Sequence, residues 1–586
     1  MSKEKVPNPS ELEKELNEYL SKKYGDKVRL SVPLLFPDSE SFKGDEHTGT
    51  ARKKKKTPVP NIHFSMKPRE LEAYLHEYVI KQDSAKEILA TKICTHFNRI
   101  KQQVRYPGPG NIKNNILMIG PTGVGKTFLI KLIAQKIGVP FIKGDATKFS
   151  ETGYVGGDVE DLVRDLVYAA DEDLELAQYG IIYLDEIDKI ASSGSIWGPD
   201  VSRTGVQRAL LKPMEETEVD LKVSHDPVSQ IQAIEQYRRT GKKEKRTINT
   251  RHILFIVSGA FNGLERIVKE RLSKQEIGFG ARLTTKEEER HLLKQVTAED
   301  LIKFGFESEF VGRLPVIAVL DELTADDLYE ILLNPNNPII ISKKRDFAAY
   351  GIDIRFEAEA LRLLARQAAT EKTGARGLVS VMERVLVNFE KRLPSTAIRE
   401  LVVTPEMVEA PQEELERLLH HPEDPERQER FRRAGRQEEE LLRQVIRRRE
   451  PELLRLYHLP LTETRVEMLV KRCRSLDMDQ QAAFEELGRL CEQVRLFENR
   501  FHEEHGIVLH FDEEAVDYIL EQALERGEAA LKVLQDLAKD LEHALKLVRD
   551  RTSQDTFLLN REALADLNAY LNQVIREYYQ KTLFRE

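Results

Sequence analysis

Only three cysteines and one tryptophan occur among 586 residues. Cys94, Cys473 and Cys491 lie far apart in the chain, which excludes a four-cysteine zinc site. That scarcity fits a reducing cytoplasm. No run of 18 or more apolar residues appears, so no segment is expected to span a membrane. The opening Met1-Ser-Lys-Glu-Lys-Val-Pro lacks the apolar core of a signal peptide. Excess positive charge is missing too: 90 Lys and Arg against 99 Asp and Glu leave a formal charge of −9, which argues against nucleic acid as the main partner.

What is present is 32% charged and 40% hydrophobic residues, the profile of a water-soluble, helix-rich chain with enough apolar material for real cores. At about 150 residues per domain the length suggests roughly four domains.

The densest signal is Gly120-Pro121-Thr122-Gly123-Val124-Gly125-Lys126-Thr127, which fits G-x-x-x-x-G-K-S/T. The apolar run Ile116-Leu-Met-Ile119 before it reads as a buried strand, and Phe128 to Ala134 after it as a helix. That strand–loop–helix context is what a phosphate-binding loop requires: the glycines let backbone N–H groups curl round phosphate oxygens, and the helix start adds partial positive charge. Lys126 is expected to reach the β- and γ-phosphates and Thr127 to hold Mg²⁺. About sixty residues on, Ile181-Ile-Tyr-Leu-Asp185-Glu186 is an apolar strand ending in two carboxylates. Asp185 is expected in the Mg²⁺ shell, and Glu186 to polarise the attacking water. The pattern predicts a nucleoside triphosphatase.

Along the chain, residues 1–65 read as a preface with a capping-box helix start at Ser10-Glu-Leu-Glu13 and a basic linker around Arg52-Lys-Lys-Lys-Lys56. Residues 66–315 alternate strand-like runs (116–119, 139–142, 181–184, 253–257) with amphipathic helices, which predicts an α/β domain with a parallel sheet. A mostly helical domain follows over 316–410. Residues 411–499 form a charged helical extension whose first part, 411–460, reads as long exposed helices, and 500–586 is helical with one strand signal at Ile507 to Phe511. This last segment repeats the second domain. Gly351 to Ala360 aligns with Gly506 to Ala515, Gly374 to Leu378 with Gly527 to Leu531, and Val403 to Val408 with Leu559 to Leu564. Two copies indicate a duplicated small domain and not a solenoid.

Residues from about 70 to 410 resemble the ClpX family of AAA+ protein unfoldases. Tyr78-Val79-Ile80 resembles its adenine-binding segment, and Gly153-Tyr154-Val155-Gly156 the first pore loop, whose aromatic grips a polypeptide in a central channel. Glu309-Phe-Val-Gly-Arg313 resembles the arginine-finger segment, which acts on a neighbouring subunit, and Gly374-Ala-Arg376-Gly the sensor-2 motif. Ser258 and Asn262 are both candidates for sensor 1, and the sequence does not decide between them. Ile277-Gly278-Phe279 resembles the loop that docks such rings onto a ClpP-type peptidase; alone, it reads equally as a loop folded on its own domain. Gly198 to Arg203 sits where a second pore loop would lie, and the 219–249 insert carries basic runs.

The resemblance thus implies an AAA+ fold with a helical small domain, ATP and Mg²⁺ as ligands, a hexameric ring, protein substrates and a ClpP-type peptidase partner. The departures are equally informative. The preface lacks the family's N-terminal cysteine quartet, so no zinc site is expected, and the extension from 411 onward lies outside the ordinary family plan. In the repeat, Ala529 stands at the position of Arg376, so the second copy is expected not to sense nucleotide. His458, His502, His505 and His510 lack ligand-like companions and read as ordinary surface or core residues. Rival readings are a HslU-type unfoldase, a remodelling ATPase without a peptidase, a nucleic-acid motor and a non-hydrolysing scaffold.

Overall fold

A computed structural model of the protein describes residues 66–105, 113–149, 157–192, 201–221, 246–275, 292–474, 480–552, 555–566, 569–570, 572 and 576. The chain divides into two compact units. Among the described residues, one gathers Ile88–Ile119 and Ile130–Val319, and the other Arg69–Glu87, Gly120–Leu129 and the residues from Leu320 onward. Helices α1 (Pro68–Tyr78) and α2 (Asp83–Arg105) lead into the first strand.

The first unit is built on five parallel strands. These are β1 (Ile116–Ile119), β2 (Phe141–Asp145), β3 (Ile181–Asp185), β6 (Leu254–Gly259) and β7 (Val316–Val319), in the order β2-β3-β6-β1-β7. Every residue of β1 and β6 is buried, as a parallel sheet covered on both faces demands. Leu117, Leu184 and Val257 pack with Leu162 and Leu166 of α4 (Asp161–Ala169), and with Leu264 and Val268 of α6 (Leu264–Gln275). Helix α3 (Lys126–Ile137) follows β1, and α5 (Val201–Met214) follows β3. The short antiparallel pair β4 (Glu218–Asp220) and β5 (Thr247–Asn249) forms the base of the 219–249 insert.

The sheet differs from the sequence expectation at its margins. The second strand begins at Phe141 where 139 was expected, and β6 runs on to Gly259. The strand Val316–Val319 pairs in register with β1, so the sheet continues past the expected boundary at 315. Its alternating burial marks it as an edge strand, which a search for continuous apolar runs passes over. Helices α7 (Ala298–Phe304) and α8 (Ser308–Gly312) precede it.

In the second unit, α9 (Ala325–Leu333) and α10 (Pro338–Ala348) lead to β8 (Asp353–Phe356), α11 (Ala358–Thr370), α12 (Ala375–Arg392), β9 (Glu400–Val403) and α13 (Pro405–Glu409). Helices α14 (Pro411–His420), α15 (Pro425–Arg448), α16 (Glu450–Tyr457), α17 (Glu463–Arg474) and α18 (Gln480–His505) follow. The succession then recurs as β10 (Val508–Phe511), α19 (Glu513–Arg526), α20 (Ala530–Thr552), β11 (Thr556–Leu559) and α21 (Arg561–Ala565). Both strand pairs are parallel. Aligned glycines have positive φ in both copies: Gly351 and Gly506 at 72° and 65°, Gly374 and Gly527 at 62° and 65°, although Gly374 opens α12 whereas Gly527 closes α19. Strand β11 carried no recognised sequence signal.

The charged stretch 411–460 is helical but not simply exposed. Phe431 and Ala434 of α15 pack on Val402, while Leu442 and Ile446 enter the core formed by residues 453–564. Arg430 makes two bonds of 2.7 Å to Glu357, and the Arg355 guanidinium lies 3.9 Å from the centre of the Phe431 ring. The apolar seam is only a few residues wide amid Glu and Arg, which is why composition concealed it. Among the described residues no helix is long and apolar enough to cross a membrane.

Candidate active site

In the second unit, residues 120–125 bend because two glycines accept backbone that other residues resist: Gly123 has φ 80° and Gly125 φ 98°. A Cβ on Gly125 would meet nothing within 4 Å, so the space beside its backbone is clear of protein atoms. Lys126, 9% exposed, folds back over the loop and donates from Nζ to the oxygens of Gly120 at 2.6 Å and Pro121 at 2.8 Å. Thr127 follows in the first turn of α3. An ammonium, open glycine backbone and a helix start suit a polyphosphate.

The loop touches the segment of the sensor-2 motif directly. Ala375 N–H donates to Gly123 O at 2.9 Å. A Cβ on Gly123 would stand 2.0 Å from Thr373 O, and one on Gly374 would stand 2.7 Å from Gly123 O. Only glycine allows this approach. Arg376 is exposed on the first turn of α12.

Val79 is buried and Ile80 half-buried. Immediately after them Lys81 and Gln82 both adopt left-handed backbone, φ 58° and 64°. Such non-glycine strain persists only where neighbours hold it. Lys81 Nζ donates to Asp327 at 2.7 Å and to Glu322 O at 2.9 Å. Gln82 exchanges two bonds with the main chain of Asp321, 2.8 and 2.7 Å.

In the first unit, Asp185 ends β3 beside β6. Ser258 Oγ donates to Asp185 Oδ1 at 2.8 Å and lies 2.6 Å from the Tyr183 hydroxyl, and Lys143 Nζ lies 3.0 Å from Oδ2. Burial pushes the Asp185 carboxyl upward, but the hydrogen bonds from Lys143 and Ser258 and the lysine charge outweigh it, so its pKa falls below the ordinary value. Glu186 is exposed and left-handed, φ 58°, its N–H bonded to Asp185 Oδ1 at 3.1 Å. The turn throws the second carboxylate outward where the strand would have buried it. Of the two sensor-1 candidates, Ser258 is fully buried against Asp185, whereas Asn262 is exposed on the following turn.

Arg313 caps α8 and pairs with Glu215. Its carbonyl accepts a bond from Asn115 Nδ2 at 3.2 Å, and Asn115 Oδ1 accepts one from Phe255 N–H at 3.3 Å. Lys113 Nζ donates to the oxygens of Pro213, Glu215 and Thr250 at 3.3, 2.7 and 2.7 Å, fixing the turn that carries Glu215. Burial pushes Lys113 down to about 7, against the pull of Glu216 and Glu215. Lys143, Tyr183, Asn115, Lys113 and Glu215 were not singled out in the sequence. Only strand register, with Lys143 paired to Tyr183, exposes the first of them.

Tyr154, Val155, Ile277, Gly278 and Phe279 lie outside the described residues, as do the preface, Gly198 to Asp200 and most of the 219–249 insert.

A family model described as an AAA domain of the Cdc48 subfamily matches residues 111–317. The ATP-dependent Clp protease ATP-binding subunit ClpX of Borrelia duttonii is 41% identical over 349 residues, 58% of this chain and 78% of that protein. The subunit of the same name from Treponema denticola is 40% identical over 356 residues, 60% of this chain and 83% of its own. With the glycine loop, the parallel sheet and the carboxylates at its strand end, these likenesses establish that the chain belongs to the ClpX family of AAA+ ATPases.

Proposed function

We propose that the chain is an ATP-driven, ring-forming protein unfoldase and translocase that delivers polypeptides to a ClpP-type peptidase. The observation that carries this reading is the bond from Ala375 N–H to Gly123 O, which joins the phosphate-binding loop to the small domain's long helix. A nucleotide phosphate on that loop bears directly on α12, and α12 transmits the change to the whole small domain. That is the coupling a motor needs, and it supports a motor over a static scaffold.

In this reading Gly120 to Gly125 and Lys126 hold the phosphates of ATP, and Val79 and Ile80 take the base. Thr127 and Asp185 hold Mg²⁺, which when bound neutralises phosphate charge. The low pKa of Asp185 keeps it an anion suited to that task. Glu186 orients and deprotonates the attacking water, and Ser258 fixes the Asp185 carboxylate from behind. Arg313 serves a neighbouring subunit's site, in a hexameric ring, and Arg376 reports nucleotide state to the small domain. Tyr154 and Val155 would grip the substrate chain, and Ile277, Gly278 and Phe279 would dock the peptidase. The second small-domain copy has no nucleotide task. Where α12 meets the phosphate loop, the first turn of α20 meets α18, Leu531 N–H donating to Gln493 Oε1 at 3.3 Å.

A second reading, a remodelling ATPase without a peptidase, is favoured by the extension. Its helices build a large core of their own on the small domain, a substantial addition that peptidase delivery does not require. One experiment separates the two: ATP-dependent unfolding of a tagged fluorescent protein by wild type, Glu186→Gln and Tyr154→Ala, with and without a ClpP-type peptidase. Unfolding lost in both variants, with degradation only when peptidase is present, supports the proposal. Unfolding without degradation supports the stand-alone remodeller. Brisk hydrolysis with no unfolding of any substrate would sink both.

A further inference from the structure

The helix that leads into Val79 and Ile80 is gripped by residues nearly four hundred positions along the chain. Glu70 and Glu77 lie about two turns apart on α1 and so share a face. Arg455 of α16 pairs with Glu70. Arg449, at the junction of α15 and α16, brings Nε within 3.2 Å of the Glu77 carboxylate. Arg449 is only 4% exposed. Its guanidinium stands over the Phe484 ring, 4.7 Å from the centroid, and donates to Gln481 Oε1 at 3.2 Å. A guanidinium stacked on an aromatic face and paired to a carboxylate is pre-organised, and losing either partner leaves a buried charge.

The main chain of Glu77 is fixed as well, its oxygen accepting Asn334 Nδ2 at 2.7 Å. On the far side of Ile80, the strained pair Lys81 and Gln82 is tied to Asp321, Glu322 and Asp327. Val79 and Ile80 therefore sit between two anchors. One belongs to the segment opening the small domain. The other is supplied by the C-terminal extension.

We propose that Arg449 is a positioning residue for the nucleotide base: through Glu77 it sets the end of α1, and the extension thereby tunes affinity for adenine nucleotides. The inference rests on the reading of Val79 and Ile80 as the base-contacting pair. Arg449 acts through Glu77 on the end of α1, which leads into Val79 and Ile80, so its effect is expected on the base and not on the phosphates, which belong to the glycine loop. A ring that has gained a second small domain thus gains a handle on its own ATP affinity at a point remote from hydrolysis.

The test is equilibrium binding of a fluorescent ADP and of inorganic tripolyphosphate to the full-length chain and to Arg449→Met, Arg449→Lys, Glu77→Gln and Ile80→Asp. ADP binding is expected to weaken about tenfold in Arg449→Met and Glu77→Gln, with tripolyphosphate affinity unchanged and Arg449→Lys recovering part of the loss. Wild-type ADP affinity in Arg449→Met, or equal loss of both ligands, overturns the proposal. Ile80→Asp reports on the reading beneath it. If that variant binds ADP normally, the base site is elsewhere and both fall. If it loses ADP while Arg449→Met does not, only the role of Arg449 falls.

Discussion

Lys143 Nζ stands 3.0 Å from Asp185 Oδ2, so the carboxylate assigned to the Mg²⁺ shell already has a cation beside it. The lysine is 44% exposed, which screens the pair and keeps its worth small. It holds Asp185 ionised and aimed, but it also places a positive charge where the proposed reading puts a divalent ion. Lys143→Met is expected to lower the Mg²⁺ concentration for half-maximal ATP hydrolysis by about threefold, measured by titrating Mg²⁺ at fixed ATP. A higher Mg²⁺ requirement would show instead that aiming Asp185 matters more than the repulsion.

Gly123→Ala tests the contact between the phosphate loop and the small domain. Alanine is strained at φ 80°, and its Cβ would stand 2.0 Å from Thr373 O, so the backbone of one segment must withdraw. Nucleotide affinity should weaken by tenfold or more, about 1.4 kcal/mol at least. Gly138→Ala is the control: it has a similar left-handed backbone, φ 77°, with open space around it. Isothermal binding of ADP to the two variants separates backbone strain from collision. Equal losses would remove the case for the collision.

Arg313 is held in its own subunit by Glu215 and, through its carbonyl, by Asn115. Replacing it with alanine should reduce hydrolysis by about a thousandfold while leaving the subunit folded. Mixing Arg313→Ala subunits with Glu186→Gln subunits should restore measurable turnover, because each supplies what the other's neighbour lacks. A mixture no more active than its parts would mean the arginine does not work across a subunit boundary.

His96 gives a pH signature independent of nucleotide. Its Nε2–H donates to His252 O at 3.0 Å, and burial pushes the imidazole down from 6.5 to about 4, with Lys113 and Arg99 nearby opposing a second charge. A base whose folded pKa is depressed is protonated first in the unfolded chain. The contribution of His96 to stability is therefore fully present above pH 6.5 and is lost as the pH falls from 6.5 towards 4, by about 3 kcal/mol in total. Thermal unfolding of wild type and His96→Gln should show the variant losing less between those limits. Parallel pH profiles would contradict the assignment.

Much of the first unit was legible because its strands are short apolar runs punctuated by chemistry. Ile116 to Ile119 before a glycine loop, and Ile181 to Leu184 before two carboxylates, announce their geometry. The repeat was legible for a similar reason, since glycines at Gly351, Gly374, Gly506 and Gly527 mark turns that other residues resist. What escaped is what depends on register and long-range packing. Nothing local says that Lys143 meets Asp185, that Asn115 holds Arg313, or that Arg449 reaches Glu77. Nor does the local sequence say that Ser258, and not Asn262, lies against Asp185 on the neighbouring strand. The seam on α15 was hidden by the charges that surround it.

That seam carries a constraint of its own. One uninterrupted helix must present Phe431 and Ala434 to Val402 and, further on, Leu442 and Ile446 to a different core. Near the middle, Gly435 runs so close to Arg355 that a Cβ would stand 1.7 Å from its Nη1. Each added or removed residue between Gly435 and Leu442 would turn the distal half by about 100° relative to the proximal half. One of the two cores would then face Glu and Arg in place of Leu and Ile. Over that short interval the number of residues is constrained by helix geometry as firmly as the seam residues themselves are by packing.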